Sequence, residues 1–468
     1  MNDGLLFSHV PVPVCIPLIL IPEIESSTWL EQQDAYLLNW LTTTGFEMQA
    51  GNFILIPGGN GRTRSVVLCI KDINDIWALG GLPSVLPDGN YELTTIESSQ
   101  ILERLTVGWA LGAYQFTRYR KPPRRQGKPR LLLHPDCDSQ RIQRYVKAVA
   151  LVRDLINTPA ADMMPEQLAE IIRSLGREFD ASVNQIIGDD LLLYNYPVIH
   201  AVGRSSSHPP QLLDLHWGNP AHPKVTVVGK GVCFDSGGLN LKSANAMRLM
   251  KKDMGGAATA IGLAQLIMSS NLPVQLRLLI AAVENTISSN AFRPGDVLRS
   301  RQGITIEIQN TDAEGRLILC DALTEASSDQ PEFLCDFSTL TGAARIALGT
   351  EISAMFCNDE ALASGLLAAA EREQDPIWRL PLHQSYREML NSKIADLANA
   401  TESPYAGAIT AALFLQEFVP NEINWAHFDL MSWNIKTQPG RPEGGEAMAM
   451  RSVFSWLEKQ YRYGQSEL

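Results

Sequence analysis

The sequence contains no run approaching the roughly 18 apolar residues that a membrane-spanning helix needs, so no membrane segment is expected. Its seven cysteines, at 15, 69, 137, 233, 320, 335 and 357, form no CxxC pair. An odd, scattered set of this kind predicts buried reduced thiols and a reducing, cytoplasmic compartment. Positive charge is short as well. With 39 Lys and Arg against 51 Asp and Glu, the net charge of −12 repels phosphate backbones and anionic lipid, so nucleic acid is not the expected partner. HExxH, GxSxG, a Walker loop and a post-strand GxGxxG are all missing, and the eight histidines do not cluster. These absences remove several familiar hydrolase, nucleotide and histidine-metal sites. The apolar stretch 10–22 holds prolines at 11, 13, 17 and 22 with no basic residue before it, and is not read as a signal peptide.

What is present is ordinary globular composition over 468 residues. Single cores stop growing at about 250–300 residues, so more than one domain is expected. The stretch 118–130, RYRKPPRRQGKPR, packs seven basic residues with three prolines and reads as a loop. A helix over about 139–155 follows, ending before Asn157-Thr158-Pro159. The reading is therefore a smaller N-terminal α/β domain at 1–140 and a larger domain at 141–468. In the latter, β-rich runs (Val225–Val228, Leu276–Val283, Ile304–Ile308, Phe333–Phe337, Trp425–Leu430) alternate with helical ones (Ala257–Met268, Leu317–Ala326, Ala406–Phe418). Such alternation predicts a mixed, mostly parallel sheet flanked by helices, with chemistry where strands end.

Polar residues then stand where apolar ones belong. After the strand KVTVVG come Lys230, Asp235 and Lys242; a helix entry carries Asp253; and ITIEI runs into Asp312 and Glu314. If the backbone is still extended there, Asp312 and Glu314 leave the same side of the chain. Four carboxylates in glycine-flanked loops would repel one another in a cleft unless cations held them. Two divalent cations balance the four charges, and oxygen-rich ligation suits manganese, magnesium, zinc or cobalt.

The segments VGKGVCFDSGGLNLK, MKKDMGGAA and NTDAEGRL resemble the signatures of the leucine aminopeptidase (cytosol aminopeptidase) family of dinuclear metallopeptidases. The likeness runs from RDLINTPAADMMPEQLA at 152 through STLTGA at 338 to WAHFDL at 425, and is faint in the first domain. It implies that the larger domain is catalytic, with Lys230, Asp235, Asp253, Asp312 and Glu314 as ligands of two metal ions, manganese or zinc. Asp235 and Glu314 would bridge, and a metal-bridging hydroxide would attack the scissile bond. It further implies Lys242 as electrophile, Arg316 with Gly315 and Leu317 as a bicarbonate site serving proton transfer, and Met250, Thr339, Leu340 and Gly342 around the first side chain. The implied activity is removal of leucine-like N-terminal residues from short peptides by a cytoplasmic homohexamer. Ser243, Arg248, Leu249 and Lys252 depart from common family residues; none is an implied ligand. The alternatives are a DNA-binding or regulatory role through 118–130 and a non-catalytic assembly role.

Overall fold

The computed structural model describes residues 5–6, 14–59, 61–94, 96, 98–121 and 128–463. The chain forms two compact units: residues 1–150 with 436–443, and residues 151–435 with 444–468. The division falls inside the helix Ser139–Asn157. Among the described residues no helix is long and apolar enough to cross a membrane.

The first unit holds a six-stranded sheet ordered Leu5–Leu6, Arg130–Leu132, Asn90–Leu93, Ile16–Pro22, Thr63–Ile70 and Phe53–Pro57. Every pairing is parallel except the last. Its helix Ala35–Thr44 starts where Asp34 accepts a hydrogen bond from Leu37 N, and stops at Gly45, whose φ of 63° no β-carbon opposes. Leu37 and Leu41 from that helix pack on Ile21, Ile56 and Val67 of the sheet. The centre of the basic stretch, residues 122–127 with Arg124 and Arg125, lies outside the described residues; Arg130 opens a strand.

The second unit carries an eight-stranded mixed sheet: Ile377–Arg379, Ser353–Cys357, Trp425–Asp429, Phe333–Ser338, Lys224–Asp235, Gln275–Asn285, Gln211–Trp217 and Ser182–Ile187. The four central strands are mutually parallel and buried on both faces, which is why they read as continuous apolar runs. The helix Gly255–Ser269 is buried over nearly its whole circumference, as an all-apolar helix must be. It lies close on the sheet because Gly256 has no side chain; a Cβ there would sit 2.1 Å from the Phe337 carbonyl oxygen.

Three sequence expectations need correction. The strand beginning at Lys224 does not end at Gly229 but continues to Asp235, so Lys230 is interior to a strand. The run Ile304–Ile308 is not part of the main sheet; Thr305–Glu307 pairs with Val297–Arg299 and Leu397–Ala398 in a separate three-stranded sheet. Nor is the chain extended through the acidic pair: Asp312 lies in a turn and Glu314 begins the helix Glu314–Ser328.

Candidate metal centre

The central strand supplies Lys230 and Asp235, five positions apart. On a regular strand an odd separation sends side chains to opposite faces. Here Val232 is opposite Val283 while Asp235 is opposite Asn285, so three steps on one strand match two on its neighbour. The bulge absorbs one residue and restores both side chains to one side. Asp235 is then fixed by Asn285 Nδ2 and Gly237 N, each donating to its Oδ1 at 2.8 Å. Gly237 has φ of +87°, and a Cβ there would sit 3.0 Å from Asp312 Oδ1, so glycine lets this turn pass close to the carboxylates.

Asp253 comes from the 3-10 turn Met250–Met254 that leads into the buried helix. Its Oδ1 accepts from Thr339 Oγ1 at 2.7 Å. Glu314, at the first position of its helix, is favoured there by the helix dipole. One oxygen from each of Asp235, Asp312 and Glu314 lies within 4.8 Å of the other two. Asp253 joins through Lys230, whose Nζ is 2.7 Å from Asp253 Oδ2 and 2.9 Å from Glu314 Oε1. Lys242 Nζ lies 2.8 Å from Asp235 Oδ2 and 2.5 Å from Asp312 Oδ1.

Lys230, Asp235, Asp253 and Glu314 are each no more than 3% exposed. Burial, then the neighbouring Asp235 charge, pushes the Glu314 carboxyl up to about 8. Burial, then Asp253, raises Asp235 to about 6. Burial opposes the charge on Lys230 and Lys242 too, but the surrounding carboxylates outweigh it and lift both above the ordinary lysine range. Glu314 Oε2 is buried with no hydrogen-bond donor. An acidic cluster that raises its own pKa values, holds ammonium groups tightly and keeps an orphaned carboxylate oxygen suits hard or borderline divalent cations.

A cleft of about 300 Å³ opens on these groups. Met250, Thr339, Leu340 and Gly342 line it, as do the five implied ligands, Lys242 and Arg316. Gly315 and Leu317 are not among the lining residues: Leu317 is in the apolar core, and a Cβ on Gly315 would meet Lys230 Cε at 2.6 Å. Arg316 donates from Nη1 to Asn399 O at 2.8 Å, its buried Nε has no partner, and burial lowers its guanidinium to about 10.

Sequence reading missed the residues that hold this set in place. Asn285 also donates to Thr311 O at 3.1 Å, tying the bulged strand to the acidic turn. Asp429 accepts from Leu340 N at 2.9 Å, from Thr341 N at 3.0 Å and from Thr341 Oγ1 at 2.6 Å, and so shapes the Thr339–Gly342 wall. Both sit at strand ends, where an Asn or Asp is most often a turn former. The only signal was that Asp429 lies within the quoted motif WAHFDL, one place before its end. Lys252, a departure noted above, is buried with an unpartnered Nζ; burial and then the charge of Arg345 push it down to about 7.

Residues 150–454 match the cytosol aminopeptidase family, catalytic domain, and residues 16–133 match the M17 aminopeptidase, N-terminal domain. A probable cytosol aminopeptidase of Syntrophotalea carbinolica is 40% identical over 378 residues, 77% of this chain and 76% of that protein. Peptidase B of Serratia proteamaculans is 44% identical over 305 residues, 63% and 70% of the two chains. Cytosol aminopeptidase from Coxiella burnetii superposes with a TM-score of 0.94 at 49% identity, covering 98% of this chain and 100% of that one. The bottromycin maturation enzyme BotP in complex with Mn gives 0.85 at 30% identity, over 96% and 99% of the chains. The buried acidic cleft thus lies within the segment that matches the catalytic domain, and the chain belongs to the cytosol aminopeptidase family, M17, as a metal-dependent aminopeptidase.

Proposed function

We propose that this protein removes the first residue of short peptides and favours leucine-like first residues. The observation that carries the reading is the convergence of Asp235, Asp312 and Glu314 around a buried, unpartnered carboxylate oxygen. Lys230, Asp235, Asp253, Asp312 and Glu314 would hold two divalent cations, manganese or zinc, with Asp235 and Glu314 shared between them. When bound, such a pair polarises the scissile carbonyl, anchors the free α-amine and lowers the pKa of the attacking water toward neutrality.

The chain's own groups do the rest. Lys242, already among the carboxylates, presents an ammonium to the oxyanion that develops on the carbonyl, where a fixed charge is most effective. Lys230 must lose its proton to serve as a ligand, and a nearby dication favours that loss. The buried free Nε of Arg316 suits a small anion such as bicarbonate as a carrier for the proton that moves to the leaving amine, with only the backbone around Gly315 and Leu317, not their side chains, in support. Met250 and Leu340 offer an adaptable apolar wall to an aliphatic side chain. A homohexamer in the cytoplasm, acting on short peptides, belongs to the same reading.

The test is turnover of leucine p-nitroanilide by purified protein supplied with manganese or zinc. Activity should vanish on chelation and return with metal; turnover that survives exhaustive chelation would end the proposal. A second check addresses Lys230. Gly315→Ala forces the lysine stem aside, and displacing such a group by about 1 Å can cost on the order of 100-fold in rate. The expected result is that loss in kcat/KM with an unchanged circular dichroism spectrum.

A further inference from the structure

Lys242 serves an oxyanion only if its ammonium is held in place beforehand. The loop that carries it, 236–242 with the sequence SGGLNLK, has little packing to hold it. Its apolar side chains are Leu239 and Leu241, and both face solvent, at 43% and 56% exposure. A connection without a buried apolar side chain is fixed by its hydrogen bonds or is loose. The loop begins well anchored, since Ser236 N and Oγ both donate to Asn285 O. Lys242 N then donates to Ser236 O at 2.9 Å and closes the loop on itself.

Between those points the loop is gripped by Thr311, which is fully buried. Thr311 Oγ1 donates to Gly237 O at 2.7 Å and accepts from Asn240 N at 2.9 Å, while Thr311 N donates to Asn240 Oδ1 at 2.8 Å. The hydroxyl works as donor and acceptor at once; a valine has the same shape and can do neither. The loop comes down close upon it, since a Cβ on Gly238 would sit 3.0 Å from Thr311 Oγ1. Thr311 also directly precedes Asp312, one of the two acids that Lys242 Nζ meets. The tie therefore fixes the lysine relative to the acidic turn.

We infer that Thr311 is a positioning residue for Lys242: with Asn240 it locks the lysine-bearing loop to the acidic turn, and its hydroxyl governs the rate of the chemical step and not the binding of metal or peptide. The inference rests on the aminopeptidase reading and on the place of Lys242 in it. Metal binding is spared because the acids have supports of their own. Asp235 keeps its bond from Asn285 Nδ2, and Asp312 N keeps its bond to Asn310 Oδ1.

The experiment measures leucine p-nitroanilide turnover by manganese-saturated wild type, Thr311→Val and Thr311→Ser, and manganese binding separately by titration calorimetry. Thr311→Val should lower kcat by about 10- to 100-fold, the scale of a displacement of about 1 Å, with KM and the manganese Kd within about threefold of wild type. Thr311→Ser keeps the hydroxyl and should restore kcat to within about threefold. Asn240→Ala, at an exposed position, should reproduce the kcat loss even if the valine variant does not fold. In a Lys242→Met background Thr311→Val should cost nothing further, because the two changes act through one group. Wild-type kcat in Thr311→Val or in Asn240→Ala overturns the inference, as does a loss that persists without Lys242 or that is matched by weaker manganese binding. A metal-loaded wild type that cleaves no anilide removes the aminopeptidase reading itself, an outcome distinct from an active wild type whose variants are unimpaired.

Discussion

Glu314→Gln is expected to lower kcat/KM by more than about 100-fold and to empty the metal site. Partners that merely orient a metal ligand cost 10–100-fold when removed, and Glu314 stands directly in the cluster. Metal content per chain, measured on protein purified without added metal, should fall together with activity. Stability of the metal-free protein should move the other way. Burial, then Asp235, raises Glu314 from the ordinary 4.5 to about 8, so the folded chain takes up a proton that the unfolded chain releases between those values. Metal-free wild type therefore loses stability as pH rises through that window. The glutamine variant lacks this titration, so it should melt higher at pH 8 and show a flatter profile. An active variant with full metal content would remove Glu314 from the proposed ligand set.

Glu446→Ala is expected to destabilise the second unit by about 3–5 kcal/mol, the usual result of removing one partner from a buried ion pair. Arg153 is fully buried and meets Glu446 in a two-pronged contact, Nε to Oε1 at 3.1 Å and Nη2 to Oε2 at 3.0 Å. Asn434 Nδ2 and Ala447 N also donate to the same carboxylate. The truncation leaves the guanidinium in a dry interior without that counter-charge. Urea unfolding should show a lower midpoint with little change in slope. Replacing both residues by methionine should recover much of the loss, because apolar groups of similar volume often substitute for buried pairs. If Glu446→Ala unfolds at the wild-type midpoint, the pair is not a structural anchor.

The alternation of strand and helix in the second unit was legible because buried parallel strands admit only apolar side chains, as in Val225–Val228 and Phe333–Phe337. The same logic misled at Ile304–Ile308. A three-residue strand in a small sheet buries Ile306 as fully as a central strand would, and hydrophobicity does not name a strand's neighbour. At the site, Asp235, Asp253, Asp312 and Glu314 were visible because charge is expensive amid glycine and apolar residues. Their convergence was expected from charge balance and the family likeness, but the geometry that achieves it was not visible. It depends on a bulge, a turn and a helix start, and the first two are held by hydrogen bonds from distant residues, Asn285 to Asp235 and Thr339 to Asp253.

The extra residue in the central strand makes catalytic competence a matter of parity. A relative with one residue fewer between its counterparts of Val232 and Asp235 could keep every hydrogen-bonded neighbour of that sheet and still aim the acid into the wrong layer. Counting positions across those few residues therefore offers a quick way to separate working members from look-alikes that retain each signature side chain.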